Sequence, residues 1–230
     1  IPEDQTILLD ESPPRLSVLL VLGALVFDRQ DLNLDTSYIL VQGGLMEIGT
    51  EDEPFEQQVT ITLHGDRRKS VELPFIGAKV LAVADRGGFT THGMGRGVDV
   101  PLSQRGVLDI HGKTRLRTWT KVAQTATKGS KTIVTSEPTD FASGEKIVVT
   151  APHQEVTVDQ RIDNYTFTIK EPLDQTHVSE EWSDDGHEID MRFEVALLSR
   201  NIIIQGAGGP RGDGSPTLED DGEVASEKQL

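Results

Sequence analysis

Short runs of aliphatic and β-branched residues, each followed closely by Gly, Pro, Asn or Asp, recur along the whole chain. Clear examples are Leu16–Leu22, Tyr38–Gln42, Val59–Leu63, Val107–Ile110 and Ile202–Gln205. No window sustains the i, i+3, i+4, i+7 apolar spacing of an amphipathic helix. This pattern predicts an all-β chain that forms a sandwich, a barrel or a solenoid. We favour the solenoid, because strands that end in Gly-Gly, His-Gly or Gln-Gly suit the corners between successive coils.

The composition allows a sizeable hydrophobic core but excludes several classes of protein. The 230 residues are 36% hydrophobic and 26% charged, enough for one large domain or two small ones. No apolar run is long enough to cross a bilayer. The chain has no cysteine, so it has neither disulfides nor thiolate chemistry. Its start at Ile1-Pro2-Glu3-Asp4 does not resemble a signal peptide, and we therefore expect an excised piece of a longer protein.

Positive charge is concentrated in the middle of an acidic chain. The formal net charge is −16, yet residues 64–121 hold 11 lysines and arginines against 5 acids, a local charge of +6. This block predicts a basic strip that binds an anionic glycan such as hyaluronan or heparan sulfate. The alternative is that solvated strand faces carry these cations. The predicted glycan-binding residues are His64, Arg67, Arg68, Lys69, His111, Lys113, Arg115, Arg117 and Trp119.

Two of these residues, His64 and His111, precede a glycine at the end of a strand. Stacked one coil apart, with Asp66 and Asp109 beside them, they would suit general acid-base chemistry or metal binding. The alternative is that both histidines cap corners by hydrogen bonding to backbone carbonyls, since no metal-ligand spacing accompanies them. Trp119 has two readings as well, a platform for a sugar ring or a core residue between the outward-pointing Thr118 and Thr120. No catalytic residue and no metal site is assigned.

Three further motifs each allow a functional and a structural interpretation. Asn164-Tyr165-Thr166 is an N-glycosylation sequon, which matters only if the chain is secreted. The acidic turn that contains Asp184, Asp185 and Glu188 could hold calcium, but it lacks the D-x-D-x-D-G spacing, which favours a solvated turn. Arg211-Gly212-Asp213 spells an integrin-recognition tripeptide, a match that arises easily by chance, and we do not expect integrin binding. No cofactor or nucleic-acid motif is present.

A set of short motifs in order carries a resemblance to a known family. The motifs are Gly23-Ala-Leu-Val-Phe, Tyr38-Ile-Leu-Val-Gln-Gly-Gly, Ile48-Gly-Thr-Glu, Ile61-Thr-Leu-His-Gly, Gly106-Val-Leu-Asp-Ile-His-Gly-Lys, Thr118-Trp-Thr-Lys, Gly144-Glu-Lys-Ile-Val-Val and Glu194-Val-Ala-Leu-Leu-Ser-Arg-Asn-Ile-Ile-Ile-Gln-Gly. Together they resemble the G-eight domain, named for its eight glycines. That domain occurs in fibrocystin, fibrocystin-like proteins, and the cell-migration-inducing and cell-surface hyaluronidases. The chain is most similar to the fibrocystin-like branch.

The resemblance implies a right-handed, single-stranded parallel β-helix over residues 1–206. It also implies an extracellular or cell-surface position in a larger membrane-anchored or secreted protein, which makes Asn164 a credible glycosylation site. Residues 207–230 are rich in Gly, Pro, Ser and acids, and we expect a flexible tail or linker there. The glycine-rich stretch over residues 86–97 predicts an exposed loop. The whole connection from Gly87 to Gln104 is longer than the family's usual one.

Three functions follow from the residues and the resemblance. The first is a structural or interaction module whose partners are other segments of the same parent protein, with the basic strip as a glycan site. The alternative is part of a hyaluronan-binding or hyaluronan-depolymerising protein. The third, a β-helical polysaccharide lyase or hydrolase that acts alone, would need a cluster of carboxylates or of lysines and arginines along one groove. The hyaluronidases of the family need sequence beyond this domain, so we do not expect this chain alone to be an enzyme.

Overall fold

The computed structural model describes residues 1–65, 70, 76–87, 101, 104–150, 152–184 and 187–208. Nearly all regular structure in these ranges is β-strand, which confirms the all-β prediction. The strands are β1 Thr6–Leu9, β2 Leu16–Val21, β3 Ala24–Phe27, β4 Leu32–Gln42, β5 Leu45–Ile48, β6 Val59–Leu63, β7 Val80–Ala84, β8 Val107–Ile110, β9 Trp119–Lys121, β10 Thr132–Val134, β11 Lys146–Val149, β12 Gln154–Arg161, β13 Thr166–Ile169, β14 Glu181–Asp184, β15 His187–Asp190, β16 Glu194–Leu197 and β17 Ile202–Gly206. Among the described residues, no helix has the length and apolarity that a membrane span requires.

The chain divides into two compact units. The first comprises Ile1–Lys113 together with Asn201–Leu230, and the second comprises Thr114–Arg200. The predicted boundary at residue 206 remains a prediction, since residues 209–230 lie outside the described part of the chain. Most of the predicted glycine-rich loop, residues 88–97, also lies outside it.

All strand pairs of the first unit are parallel. One sheet has the order β1-β3-β5-β8, and the second has the order β17-β6-β4-β2, with β7 also paired to β4. In the first sheet, Thr6 is opposite Ala24, Ala24 is opposite Leu45, and Leu45 is opposite Val107. From β1 to β6 the chain therefore visits the two sheets alternately, and β7, which follows β6, joins the second sheet as well.

Alternation along each strand places the apolar side chains in one core. In β6, Val59, Ile61 and Leu63 are buried, whereas Thr60 and Thr62 between them are partly exposed. A strand with this period of two presents one face to the core and one to solvent. The buried cluster of the first unit is Val21, Leu25, Phe27, Leu32, Leu34, Ile39, Val41, Met46, Ile48, Phe55, Val59, Ile61 and Leu63.

A column of glycines immediately precedes three strands of the first sheet. Gly23, Gly44 and Gly106 occupy equivalent register positions before β3, β5 and β8. A Cβ at any of them would overlap a backbone carbonyl oxygen of the neighbouring strand or corner. The N–H of the residue after Gly106, Val107, donates to the Gly44 carbonyl at 2.8 Å, and Leu45 does the same to Gly23. The close backbone approach therefore requires residues without a side chain.

The second unit differs from the expected parallel coils, because its strands pair antiparallel. Its main sheet has the order β10-β13-β12-β11-β16-β9, and the two edge strands meet through an antiparallel bridge between Val122 and Thr135. Two of the five pairs of this sheet, β11–β12 and β12–β13, join consecutive strands through short turns, which suit antiparallel neighbours, whereas parallel neighbours need long crossovers. The enclosed core is Val122, Ala126, Ile133, Phe141, Ile147, Val149, Val156, Val158, Phe167, Ile169, Leu173, Phe193, Val195 and Leu197. Strands β14 and β15 form a separate hairpin.

Candidate functional site

The predicted glycan-binding residues are distributed over both units. Arg67, Arg68 and Lys69 lie outside the described residues. His64, His111 and Lys113 belong to the first unit, and Arg115, Arg117 and Trp119 belong to the second.

The two histidines of the predicted strip belong to different sheets, so the expectation that they stack one coil apart is wrong. His64 follows β6 in the second sheet, and its Nε2 lies 2.7 Å from Asp35 Oδ1. His111 follows β8 in the first sheet, and its Nε2 lies 2.8 Å from Asp109 Oδ1. Asp66, the expected partner of His64, lies outside the described residues. Within the described residues, Asp35 lies beside the His64 imidazole and Asp109 beside the His111 imidazole, and the two pairs belong to different sheets.

Both histidines also hold corners through their backbones. His64 N–H donates to the Thr36 carbonyl at 2.8 Å, and His111 N–H donates to the Ile48 carbonyl at 2.9 Å. The His111 carbonyl accepts from Phe55 N–H at 2.8 Å. The described residues contain no group of three or more His, Asp or Glu side chains that could hold a metal ion. His64 and His111 therefore lie at corners of the fold, where hydrogen bonds of their backbones hold them.

Arg115 is held by two carboxylates of the second unit. Its side chain is only 11% exposed, its guanidinium lies 2.5 Å from Glu145, and its Nε lies 3.7 Å from Asp140 Oδ2. Glu145 also accepts a hydrogen bond from Ala142 N–H at 2.7 Å. A guanidinium that is shielded and neutralised in this way stabilises the local fold and has little capacity left for an anionic ligand.

The neighbouring residues are more accessible. Arg117 pairs with Glu137 at 3.0 Å, and both side chains are about half exposed. Trp119 is 54% exposed, whereas Thr120 is buried. The interpretation of Trp119 as a core residue is wrong: Thr120, opposite the buried Val195, faces the core of the sheet, so alternation turns the indole outward.

Asn201, which the motif analysis did not single out, joins three segments of the first unit. Its Nδ2 donates to the carbonyls of Phe55 at 2.7 Å and Gln57 at 2.8 Å, and its Oδ1 accepts from Lys113 N–H at 2.9 Å. The closing motif Ser-Arg-Asn-Ile contains this asparagine. Its amide can both donate and accept hydrogen bonds, and this property is the one feature of the sequence that could have indicated a bridging role.

Asn164 is exposed in the turn between β12 and β13. Its Oδ1 accepts from Arg161 Nη2 at 2.6 Å, and its carbonyl accepts from Thr139 N–H at 2.7 Å. Asp163 beside it accepts from Tyr165 N–H and Thr166 N–H, and the bond from Tyr165 in particular lowers the pKa of the Asp163 carboxyl. The turn therefore holds the Asn164 side chain at the surface, as glycosylation requires.

The acidic turn of the calcium interpretation lies at the tip of the β14–β15 hairpin. Asp184 is opposite His187, and Glu188 is opposite Ser183. Alternation places Asp184 and Glu188 on opposite faces of the hairpin, which does not suit a shared cation. Asp185 and the tripeptide at residues 211–213 lie outside the described residues.

Hydrogen bonds and ion pairs tie the base of this hairpin to the rest of the second unit. Lys121 Nζ donates to Asp190 Oδ2 at 2.7 Å, and Arg192 contacts both Asp190 and Glu181 at 2.9 Å. Bonds from Arg192, and then from Lys121, hold the pKa of Asp190 well below its ordinary value. The carboxylate of Asp190 is thus charged over the whole neutral and mildly acidic range.

Comparison with known proteins gives the family. The G8 domain, which is the G-eight domain of the resemblance above, matches residues 1–123. Over 219 residues the chain is 36% identical to human Fibrocystin-L and 34% identical to its mouse counterpart, in each case covering 90% of this chain. It is 28% identical to dog Fibrocystin over 211 residues, or 88% of this chain. The chain spans 5% of the length of each of these three relatives. It belongs to the G8 domain family.

Proposed function

We propose that the chain is a structural and interaction module of a larger extracellular or cell-surface protein, and that its first unit is a right-handed parallel β-helix. The observation that carries the proposal is the alternation of the chain between two all-parallel sheets, from β1 to β2, β3, β4, β5 and β6. Strands that stack in chain order with a constant register produce a coil that can extend at its open edges. Right-handed crossovers are the rule for parallel strands in one sheet.

Two further observations support this proposal. The relatives are about twenty times longer than the aligned stretch, as expected for a module within a long polypeptide. The exposed turn at Asn164 suits N-glycosylation, which occurs in secreted and cell-surface proteins.

Amide hydrogen exchange tests the coil. We expect the central strands β3, β4 and β5 to exchange most slowly, because each is covered by a parallel neighbour on both sides. Uniform fast exchange across these strands would argue against a stacked coil. A second experiment tests the expectation that this chain alone is not an enzyme: the purified chain is incubated with high-molecular-weight hyaluronan. Shortening of the polymer that is abolished by His111→Ala would overturn that expectation.

Anionic-glycan binding is a second, narrower proposal. Arg117 and Trp119 are two residues apart and each is about half exposed, a combination of cation and aromatic ring that suits a sugar chain bearing carboxylate or sulfate. The ion pair to Glu137 weakens this site, and the enclosure of Arg115 removes one cation from it. We therefore expect weak binding.

A further inference from the structure

The β14–β15 hairpin is a strand pair without neighbours. Within the described residues, β14 and β15 pair only with each other, and all eight of their residues are exposed. An isolated two-stranded hairpin is marginally stable in water, and its outer edges present unpaired N–H and C=O groups. The hairpin therefore has two edges to which a further strand could add.

One face of the hairpin carries a pair of large apolar side chains. Trp182 and Ile189 are directly opposite each other in register and are 46% and 50% exposed. Side chains of directly opposed residues point to the same face and touch. By alternation, Asp184 lies on this face as well. The face thus combines an aromatic ring, an aliphatic side chain and a carboxylate.

The charge of the hairpin selects the partner. Its described residues and the preceding Glu180 contain five carboxylates and no lysine or arginine. Lys121 and Arg192 neutralise Asp190 and Glu181 at the base. No ion pair within the described ranges reaches Glu180, Asp184 or Glu188. These charges repel a second copy of the hairpin and any anionic ligand, and they attract a cationic one.

We propose that the hairpin binds an extended, cationic protein segment by strand addition. Main-chain hydrogen bonds to a hairpin edge would supply affinity, and Trp182 and Ile189 would cover the aliphatic parts of the segment. Lysine or arginine heads would meet Asp184 and Glu188 on the two faces, and a cation over the indole would add to the attraction. The inference names a partner class for the interaction role proposed above, and it rests on that role.

A synthetic octapeptide of alternating lysine and valine is the probe. The chain has two tryptophans, so Trp119→Phe leaves Trp182 as the sole indole reporter. We expect a saturable change in Trp182 fluorescence that weakens as salt rises, because exposed charges are screened. The matched Glu-Val octapeptide should give no change. A Lys-Val peptide methylated at alternate amide nitrogens should bind much more weakly, because it cannot complete the main-chain bonds.

Variants locate the site, with anisotropy of a dye-labelled peptide as readout. The double variant Asp184→Lys/Glu188→Lys should weaken binding by roughly tenfold or more. The control is Asp159→Lys/Asp174→Lys, which changes the net charge equally at exposed positions outside the hairpin and should weaken binding by no more than about twofold. Ile189→Ser should also weaken binding. Circular dichroism should show that each variant keeps its fold.

Several results would overturn the inference. These are no saturable signal at millimolar peptide and low salt, equal binding of the acidic or N-methylated peptide, and equal losses in the hairpin and control charge variants. Any of them would leave the hydrogen-exchange and hyaluronan outcomes unaffected, so this inference and the proposed function fail separately.

Discussion

The side-chain oxygen of Asn201 accepts a hydrogen bond from the Lys113 backbone N–H at 2.9 Å, across 88 residues of sequence. The chain therefore leaves the first unit and returns to it at two adjacent points. The same oxygen lies 2.8 Å from the position that a Cβ on Gly112 would take. This corner depends on both an asparagine and a glycine.

Asn201→Ala should destabilise the first unit by about 2 to 4 kcal/mol, because the backbone groups of Phe55, Gln57 and Lys113 all lose a partner. Urea unfolding measures the change. Asn33→Ala, at an exposed position whose side chain makes none of these bonds, is the control and should change stability by less than about 0.5 kcal/mol. Equal losses in the two variants would show that the Asn201 bonds contribute little.

Gly44→Ala should destabilise the protein by several kcal/mol, because the added methyl group meets backbone atoms that cannot yield. Gly87→Ala is the matched control, since a Cβ at Gly87 meets nothing within 4 Å. Melting temperatures compare the two. A Gly44 variant as stable as the Gly87 variant would contradict the close packing of the glycine column.

Ile202→Asp should cost about 3 kcal/mol or more, since Ile202 packs against the core of the first unit and an uncompensated charge would be placed there. Ile203→Asp should cost much less, because Ile203 is in register with Thr60 and the exposed Asn33. Chemical denaturation of both variants checks the order. The reverse order would mean that β17 is shifted by one residue.

Asp190→Asn should lower the stability of the second unit at pH 7. The folded-state pKa of Asp190 is depressed, so its contribution is fully present above the ordinary value of 3.8 and is lost as pH falls towards the folded-state pKa. The difference in melting temperature between the wild type and the variant should therefore stay nearly the same between about pH 5 and pH 7. It should shrink below about pH 4. A difference that grows on acidification would contradict the assignment.

Arg117→Glu and Trp119→Ala should each reduce retention on heparin at low salt, and neither should alter stability much, because both side chains are about half exposed. Arg115→Glu should instead destabilise the second unit, since it places a third carboxylate beside Glu145 and Asp140. Retention that survives all three changes and high salt would place any glycan site elsewhere.

Strand positions could be predicted from the sequence, whereas strand partners could not. The run Val59–Leu63 coincides with β6, because alternation of Val, Thr, Ile, Thr and Leu is visible locally. The continuous apolar run within Lys146–Val149 coincides with β11 in the same way, yet β11 pairs antiparallel. Periodicity reports which face is buried and carries no information on the direction of the neighbouring strand.

The candidate site was predicted less well, for a related reason. Asp35, which lies beside the His64 imidazole, is 29 residues earlier in the chain, and the partners of Asn201 are 88 to 146 residues earlier. Register between distant strands decides these contacts, and no local motif encodes it. The core interpretation of Trp119 is wrong because its neighbour Thr120, although polar, is the residue that faces the core.

The pairing of β17 with β6 has a consequence for synthesis of the protein on the ribosome. Ile204 is opposite Ile61, 143 residues earlier in the chain. At translation rates of about 5 to 20 residues per second, the edge of β6 stays uncovered for on the order of ten seconds after it emerges. The second unit, all of whose strands are made during that interval, can fold before the first unit is complete. The nascent chain thus exposes an aliphatic parallel edge at the stage when chaperones act, and closes it only when its last strand arrives.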